Sequence, residues 1–285
     1  MDYTNCRLCP RECGANRTAG ETGFCGCPDT ALVAKTMLHM WEEPVLAGSG
    51  GSGAVFFGGC TLGCQYCQNA AISGEPVGKP TDSAGLRRIF EDLIAQGAEN
   101  IDLVTPTQYL PTILPALEPK LPVPVVCNCG GYERVETLRE LAGKIDIYLP
   151  DLKYADGTLA AALSGAPDYF PRAKDAIREM ARQTGAPQWQ GEKLLRGTVI
   201  RHLILPGHVE NSLRVLDWIG ENFAPGQVLV SLMRQYTPMG KLPAPFDRRV
   251  TEEEYQAVLS WMFLNGLEGF TQEPESADQG FIPDF

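Results

Sequence analysis

The sequence predicts an α/β fold, a parallel sheet covered by helices, with a small cysteine-rich extension at the N-terminus. Three observations carry this reading. From residue 54 onward, strand-like apolar runs alternate with helix-like stretches, the pattern of a parallel sheet with right-handed crossovers. Five of the ten cysteines crowd into the first 27 residues. Between the two regions stands Gly48-Ser49-Gly50-Gly51-Ser52-Gly53, six small residues that read as a flexible joint or a tight backbone approach. The chain is therefore divided into an extension over 1–47 and a main domain over 48–285.

The extension carries Cys6-x2-Cys9-x3-Cys13, followed by Cys25 and Cys27. Cys6, Cys9, Cys13 and Cys25 are enough for a structural zinc ion or a second iron–sulfur cluster. A piece this poor in aliphatic residues has no core of its own, so a metal would hold it together. The alternative is a set of free thiols in a loop packed on the main domain. Cys27 is a fifth thiol with no place in a four-ligand site.

In the main domain the strand candidates are 54–59, 100–105, 123–128, 145–149, 199–205 and 227–232. Helices fit over 81–96, 108–117, 132–142, within 169–184, over 212–222 and over 252–264. Apolar runs such as Ile101-Asp102-Leu103-Val104 suit strands buried on both faces. Periodicity alone does not separate an incomplete barrel from an open doubly wound sheet. Gly269-Phe270-Thr271-Gln272 reads as one more short strand or an edge cover, and the acidic stretch 273–285 as loosely held.

Composition removes several function classes. At 285 residues and 44% hydrophobic, the chain is long enough for one large core and a small appendage. Its formal charge of −11 disfavours nonspecific nucleic-acid binding, which rests on Lys and Arg neutralising phosphates, and no polybasic run suggests a membrane surface. No apolar run approaches the ~20 residues that span a bilayer, and the polar N-terminus does not read as a signal peptide. A cytoplasmic protein is expected, in which ten cysteines argue for metal or redox work over disulfides.

The chemistry centres on Gly59-Cys60-Thr61-Leu62-Gly63-Cys64-Gln65-Tyr66-Cys67. Three thiols at C-x3-C-x2-C spacing leave the end of an apolar strand, where a parallel α/β fold places its chemistry. Three thiolates can wrap one face of a metal centre but cannot complete a four-ligand site, so one iron of a cluster would stay open. The bland alternative is three buried thiols or part of a zinc site.

With Tyr66 directly before the last cysteine, this stretch resembles the signature of the radical S-adenosylmethionine superfamily. The resemblance implies a partial (β/α)6 TIM-like barrel, open along one side. It also implies a [4Fe-4S] cluster on Cys60, Cys64 and Cys67 and S-adenosylmethionine bound at its open iron. Reductive cleavage of that cofactor gives a 5′-deoxyadenosyl radical that takes hydrogen from a substrate, in an anaerobic setting. A low-potential electron donor such as flavodoxin or ferredoxin is expected as a partner.

Further matches extend the likeness to a group described as homologues of pyruvate formate-lyase activating enzyme. They are Cys6-Arg7-Leu8-Cys9-Pro10-Arg11, Trp41-Glu42-Glu43-Pro44, Thr105-Pro106-Thr107, Gly130-Gly131-Tyr132, Tyr148 to Lys153 and Arg201 to Gly207. By this resemblance Tyr66, Asn128, Gly130, Gly131, Asp151, Lys153 and Arg201 bind the cofactor. Gly130 and Gly131 form the turn that receives its amino group, and Asp151 helps hold a cation. Lys153 and Arg201 reach the carboxylate. Asn128-Cys129 stands where the resembled pattern has Asp-Thr. Cys127 and Cys129 alternate with Asn128, so they face the helices as core thiols if Asn128 faces inward. His202 likewise falls opposite Arg201 and reads as a core histidine.

The leading expectation for function is a glycyl-radical-enzyme activase. The alternatives are a radical enzyme acting on a peptide or small metabolite, with the N-terminal thiols as an auxiliary metal site, and a non-catalytic zinc or iron–sulfur protein.

Overall fold

A computed structural model describes residues 1–239 and 242–272. The stretch 273–285, expected to be loosely held, lies outside the described residues.

Ten strands form one sheet: β1 (Ala31–His39), β2 (Ser52–Phe57), β3 (Lys79–Thr81), β4 (Ile101–Val104), β5 (Val125–Cys129), β6 (Ile147–Pro150), β7 (Gln188–Gln190), β8 (Lys193–Leu203), β9 (Leu229–Met233) and β10 (Gly269–Thr271). The path is β10-β9-β8-β6-β5-β4-β2-β1-β3, with β7 hydrogen-bonded to β8. From β2 to β10 the pairs along this path are parallel. The helices are α1 (Pro44–Ala47), α2 (Ala70–Ser73), α3 (Ser83–Ala95), α4 (Leu110–Ala116), α5 (Val135–Arg139), α6 (Gly157–Ser164), α7 (Tyr169–Thr184), α8 (Val209–Asn222) and α9 (Glu252–Leu264). All six expected parallel strands are present, and the tail adds β10 at the edge beside β9.

The sheet has two apolar faces, as period-2 alternation dictates. Outward residues such as Leu103, Cys127, Tyr148, Ile200 and Val230 pack in the large core with the helices. Inward residues Val126, Ile147, Leu149, Val199 and Leu229 close on Leu46 of α1, so this short helix plugs the interior. Above that plug the inward positions turn polar: Asp102, Asn128, Arg201 and Ser231.

Two features depart from the sequence expectation, β1 and the length of α5, while the glycine run follows the close-approach reading. β1 did not stand out because a bulge between Val33 and Lys35 shifts its register with β2 and breaks the alternation. It pairs antiparallel with β2, so the segment before the glycine run belongs to the same sheet. The glycine run serves close approach: a Cβ on Gly50 would sit 2.2 Å from the Gly97 carbonyl oxygen. α5 is shorter than the 132–142 expected, because Glu133 turns inward at its start. At the other end of the chain, Thr251 and Glu254 form a reciprocal capping box that fixes the start of α9.

Glu133 offers a test of this packing. Burial pushes its carboxyl up to about 8, only partly offset by donors Thr107 and Cys129, and the Thr107 hydroxyl donates to it at 2.7 Å. Below the ordinary value of 4.5 both folded and unfolded chains hold the proton. Between there and about 8 the unfolded chain releases it while the folded one keeps it, so stability falls as pH rises through this window. Glu133→Gln keeps the acceptor for Thr107 and removes the titration. Its stability relative to the parent should rise by about 3–5 kcal/mol from below to above this window, read by urea denaturation. A difference that stays flat with pH would show that Glu133 ionises normally.

Candidate functional site

A cavity of about 260 Å³ opens at the carboxyl ends of the parallel strands. Cys60, Cys64, Tyr66, Cys67, Asn128, Gly130, Asp151, Lys153 and Arg201 all line it, so nine of the residues singled out from sequence meet in one place. Gly131 does not line it. With φ at +77°, a Cβ there would fall 2.0 Å from the Asp151 carbonyl oxygen, so this glycine lets two strand ends touch.

The three thiols follow β2 on a loop held from several sides. The Gln108 side-chain amide donates to the carbonyls of Gly58 at 3.3 Å and Gly59 at 3.1 Å. Cys27 packs beneath: a Cβ on Gly59, where φ is +76°, would meet its sulfur at 2.3 Å. That gives the fifth thiol a place, as a packing residue under the loop. Its neighbour Cys25 is drawn down to about 6, first by a hydrogen bond from Cys27 and against the cost of burial.

Each cavity thiol accepts one hydrogen bond from outside the trio. Cys60 accepts from the Leu62 N–H at 3.4 Å, Cys64 from the Ser164 hydroxyl at 3.1 Å, and Cys67 from the Ser73 hydroxyl at 3.3 Å. Burial pushes the Cys60 thiol up to about 12 and raises Cys64 too, although Lys153 and Ser164 pull the latter back. A metal centre must therefore displace these protons as it binds. Among the described residues no three Cys, His, Asp or Glu side chains close on a single metal ion. A four-iron cluster takes one thiolate per iron, and three separate sulfurs on one cavity wall, each with its own donor, fit that requirement. Cys6, Cys9, Cys13 and Cys25, expected to hold zinc or a second cluster, lie elsewhere. Cys6 is buried, Cys13 is exposed, and none of the four lines the cavity.

Behind the thiols lies the inward polar layer. Arg201 donates from Nε to Asp151 at 2.9 Å and from its fork to the Asn128 side-chain oxygen Oδ1 at 2.6 Å, and approaches Glu42 at 3.7 Å. Lys153 donates to the other Asp151 oxygen at 2.5 Å. The Asn128 amide donates to both Glu42 and Asp102 at 3.3 Å. An Asp at 128 would set a third carboxylate against those two, which accounts physically for the amide. Burial raises the Asp151 carboxyl, but Arg201 and Lys153 outweigh it and hold the acid below its ordinary value. Asp102 is driven well up by burial and by Glu42, and Glu43 to about 7 for the same two reasons.

Other assignments settle around this layer. Tyr66 is buried, takes a hydrogen bond from Tyr154 at 2.8 Å and packs edge-on against its ring, forming part of the cavity wall. The Tyr169 hydroxyl lies 2.9 Å from the Gly130 carbonyl oxygen and accepts the Lys153 N–H at 3.0 Å. His202 is fully buried between the Leu152 carbonyl and Ser212, and burial draws it down to about 4, so it is a neutral core residue. Cys127 lies in the outer core, whereas Cys129, at the end of β5, packs there and also lines the cavity.

Sequence reading missed Glu42 as a site residue, together with Gln108, Ser73 and Ser164. Glu42, Gln108 and Ser164 act across the fold, whereas Ser73 reaches Cys67 only six residues away. The signal available for Glu42 was a charged pair inside an otherwise apolar stretch. Thr105 also lines the cavity with φ at +57°, a left-handed conformation rare for a β-branched residue.

The polar layer yields a stability prediction. Arg201→Met removes the half-buried cation and leaves Asp151 and Glu42 short of a partner, which should cost about 3 kcal/mol, the low end for a buried pair. Arg201→Met with Asp151→Asn should recover part of that loss. Denaturant unfolding of the two single variants and the double variant measures the coupling, and strict additivity would show the pair to be energetically independent.

Residues 46–105 match the family model of a 4Fe-4S single cluster domain, a stretch that contains all three cavity thiols. Among solved structures, Streptococcus suis SuiB bound to S-adenosylmethionine is similar in fold, with 16% identity, a TM-score of 0.52, and coverage of 76% of this chain and 49% of SuiB. A radical SAM methyltransferase from Sphaerobacter thermophilus is similar at 14% identity and a TM-score of 0.52, over 77% of this chain and 65% of its own. The chain thus spans about half the length of SuiB. These likenesses show the fold, the partial TIM-type barrel of radical SAM enzymes. No helix among the described residues is long and apolar enough to cross a membrane. In sequence the chain is 30% identical over 275 residues, 90% of its length and 74% of the relative's, to the uncharacterized protein MJ0674 of Methanocaldococcus jannaschii, and it belongs to that protein's family.

Proposed function

We propose that the protein is a radical S-adenosylmethionine enzyme in which Cys60, Cys64 and Cys67 hold a [4Fe-4S] cluster with one iron open to the cofactor. The observation that supports this best is the set of three hydrogen-bonded thiols sharing one cavity with Lys153 and Arg201. When bound, the two cofactors supply an electron and a sulfonium whose reductive cleavage yields a 5′-deoxyadenosyl radical. The chain's own residues bind and orient. Lys153 and Arg201 present positive charge to the cofactor carboxylate, and Asp151, bonded to both, holds their side chains in place. Asn128 fixes the Arg201 fork from the other side. Gly130 offers a backbone carbonyl at the cavity wall, and Tyr66 with its buried tyrosine neighbours keeps water from the thiol loop.

The substrate we infer is a backbone glycine of a partner glycyl radical enzyme. Among the described residues the path of the sheet ends at β3 and β10, and an open side would admit a protein loop. A second reading is modification of a peptide. It is favoured by the likeness in fold to SuiB bound to the precursor peptide SuiA, at 15% identity and a TM-score of 0.51. Both readings need a low-potential electron donor such as flavodoxin or ferredoxin.

Anaerobic reconstitution with iron and sulfide tests the shared chemistry. The parent protein should form 5′-deoxyadenosine from S-adenosylmethionine and dithionite, and Ala at Cys60, Cys64 or Cys67 should abolish it. Iron-loaded parent protein that forms no 5′-deoxyadenosine above the protein-free control would end the proposal. Incubation with a candidate glycyl radical enzyme then separates the two substrates. A glycyl EPR doublet supports the activase, whereas product formed only with a peptide supports the second reading.

A further inference from the structure

Arg11 sits in the turn between Cys9 and Cys13 of the extension, yet its hydrogen bonds are made to the thiol loop. Its Nε donates to the Thr61 carbonyl at 3.1 Å, and one arm of its fork to the Leu62 carbonyl at 3.2 Å. The fork also donates to the carbonyls of Ser164 at 2.9 Å and Gly165 at 2.5 Å, at the electronegative end of α6. The guanidinium lies 3.8 Å from the centroid of the Phe24 ring and 5.3 Å from that of Tyr132.

Two of those carbonyls belong to groups that touch the cavity thiols. The Thr61 carbonyl and the Leu62 N–H are opposite ends of one peptide unit. Arg11 binds the oxygen, and the N–H at the far end donates to Cys60. A cation on the oxygen polarises the peptide and strengthens the hydrogen bond its N–H makes. At Ser164 the effect is positional: its carbonyl accepts from Arg11, which fixes the residue whose hydroxyl donates to Cys64.

We propose that Arg11 is a positioning residue that sets the hydrogen bonds received by Cys60 and Cys64 and so raises the reduction potential of the cluster they hold. This rests on the reading above that those thiols carry a cluster. Reduction places negative charge on the cluster and its thiolates, and hydrogen bonds to the sulfurs favour the reduced form. The cysteine-rich extension is then a working part of the redox centre. Arg11 as a mere fastener of the extension would affect stability and leave the potential alone.

The test is a redox titration of the reconstituted holoenzyme, followed by the EPR signal of the reduced cluster, for the parent, Arg11→Gln and Arg11→Lys. Arg11→Gln should lower the ratio of reduced to oxidised cluster at a fixed potential about tenfold, equivalent to ~59 mV for a one-electron couple. Arg11→Lys keeps the charge and loses the fork, so its shift should fall between. Where Arg11→Gln retains no cluster, the Arg11→Lys titration decides alone. Clusters that load normally and titrate at the parent potential in the variants would overturn the role of Arg11 and leave the proposed function standing. A parent protein that takes up no iron would overturn the proposed function itself.

Discussion

The half-buried guanidinium of Arg201 holds together the floor on which the cavity is built. Four carboxyl groups, from Glu42, Glu43, Asp102 and Asp151, surround only two cations, Arg201 and Lys153. Isolated charges in such a place are expensive, and the group changes protonation before it pays that cost. The layer shows the outcome: Asp151, in contact with both cations, stays ionised, while Asp102 and Glu43 are pushed toward the neutral form. The Asn128 amide completes the arrangement because it can accept from Arg201 and donate to two carboxyl groups at once. Four elements therefore meet through one planar fork, which is the kind of partner that a fixed bidentate donor suits and a lysine does not.

The first 47 residues are built into this site. β1 extends the sheet, α1 plugs its interior, and the residues between them deliver Glu42 to the cavity. Further upstream, Cys27 packs under Gly59 and Arg11 grips the thiol loop. A short segment with few aliphatic residues is ordered here by hydrogen bonds to the barrel. Arg17 adds to this by donating to the Gln108 carbonyl, and Tyr3 by its hydroxyl contact with Thr112. These contacts hold the framework that carries the N-terminal thiols.

The thiol loop combines rigidity with an unusual backbone. Gly59 and Gly63 both adopt positive φ, as the tight return from β2 requires, and Thr105 on the neighbouring strand end does so despite its branched side chain. Gln108 ties these turns together by donating to the carbonyls of Gly58, Gly59 and Thr105. The strained position and the clamp occur side by side at the cavity rim, where over-determined surroundings can sustain such a conformation.

Short-range pattern was enough for the frame. The parallel strands read as continuous apolar runs because both of their faces are buried, and helices such as α7 and α9 carry their own amphipathic or capping signals. The spacing of Cys60, Cys64 and Cys67 announces a metal loop for the same reason, since ligands on one short turn are a local matter. Arg11, Glu42, Gln108 and Ser164 were illegible because their partners lie tens to more than a hundred residues away, and no periodicity records which carbonyl or carboxylate a side chain will meet. Their roles arise when the sheet curls and brings distant strand ends, helix ends and the extension onto one cavity.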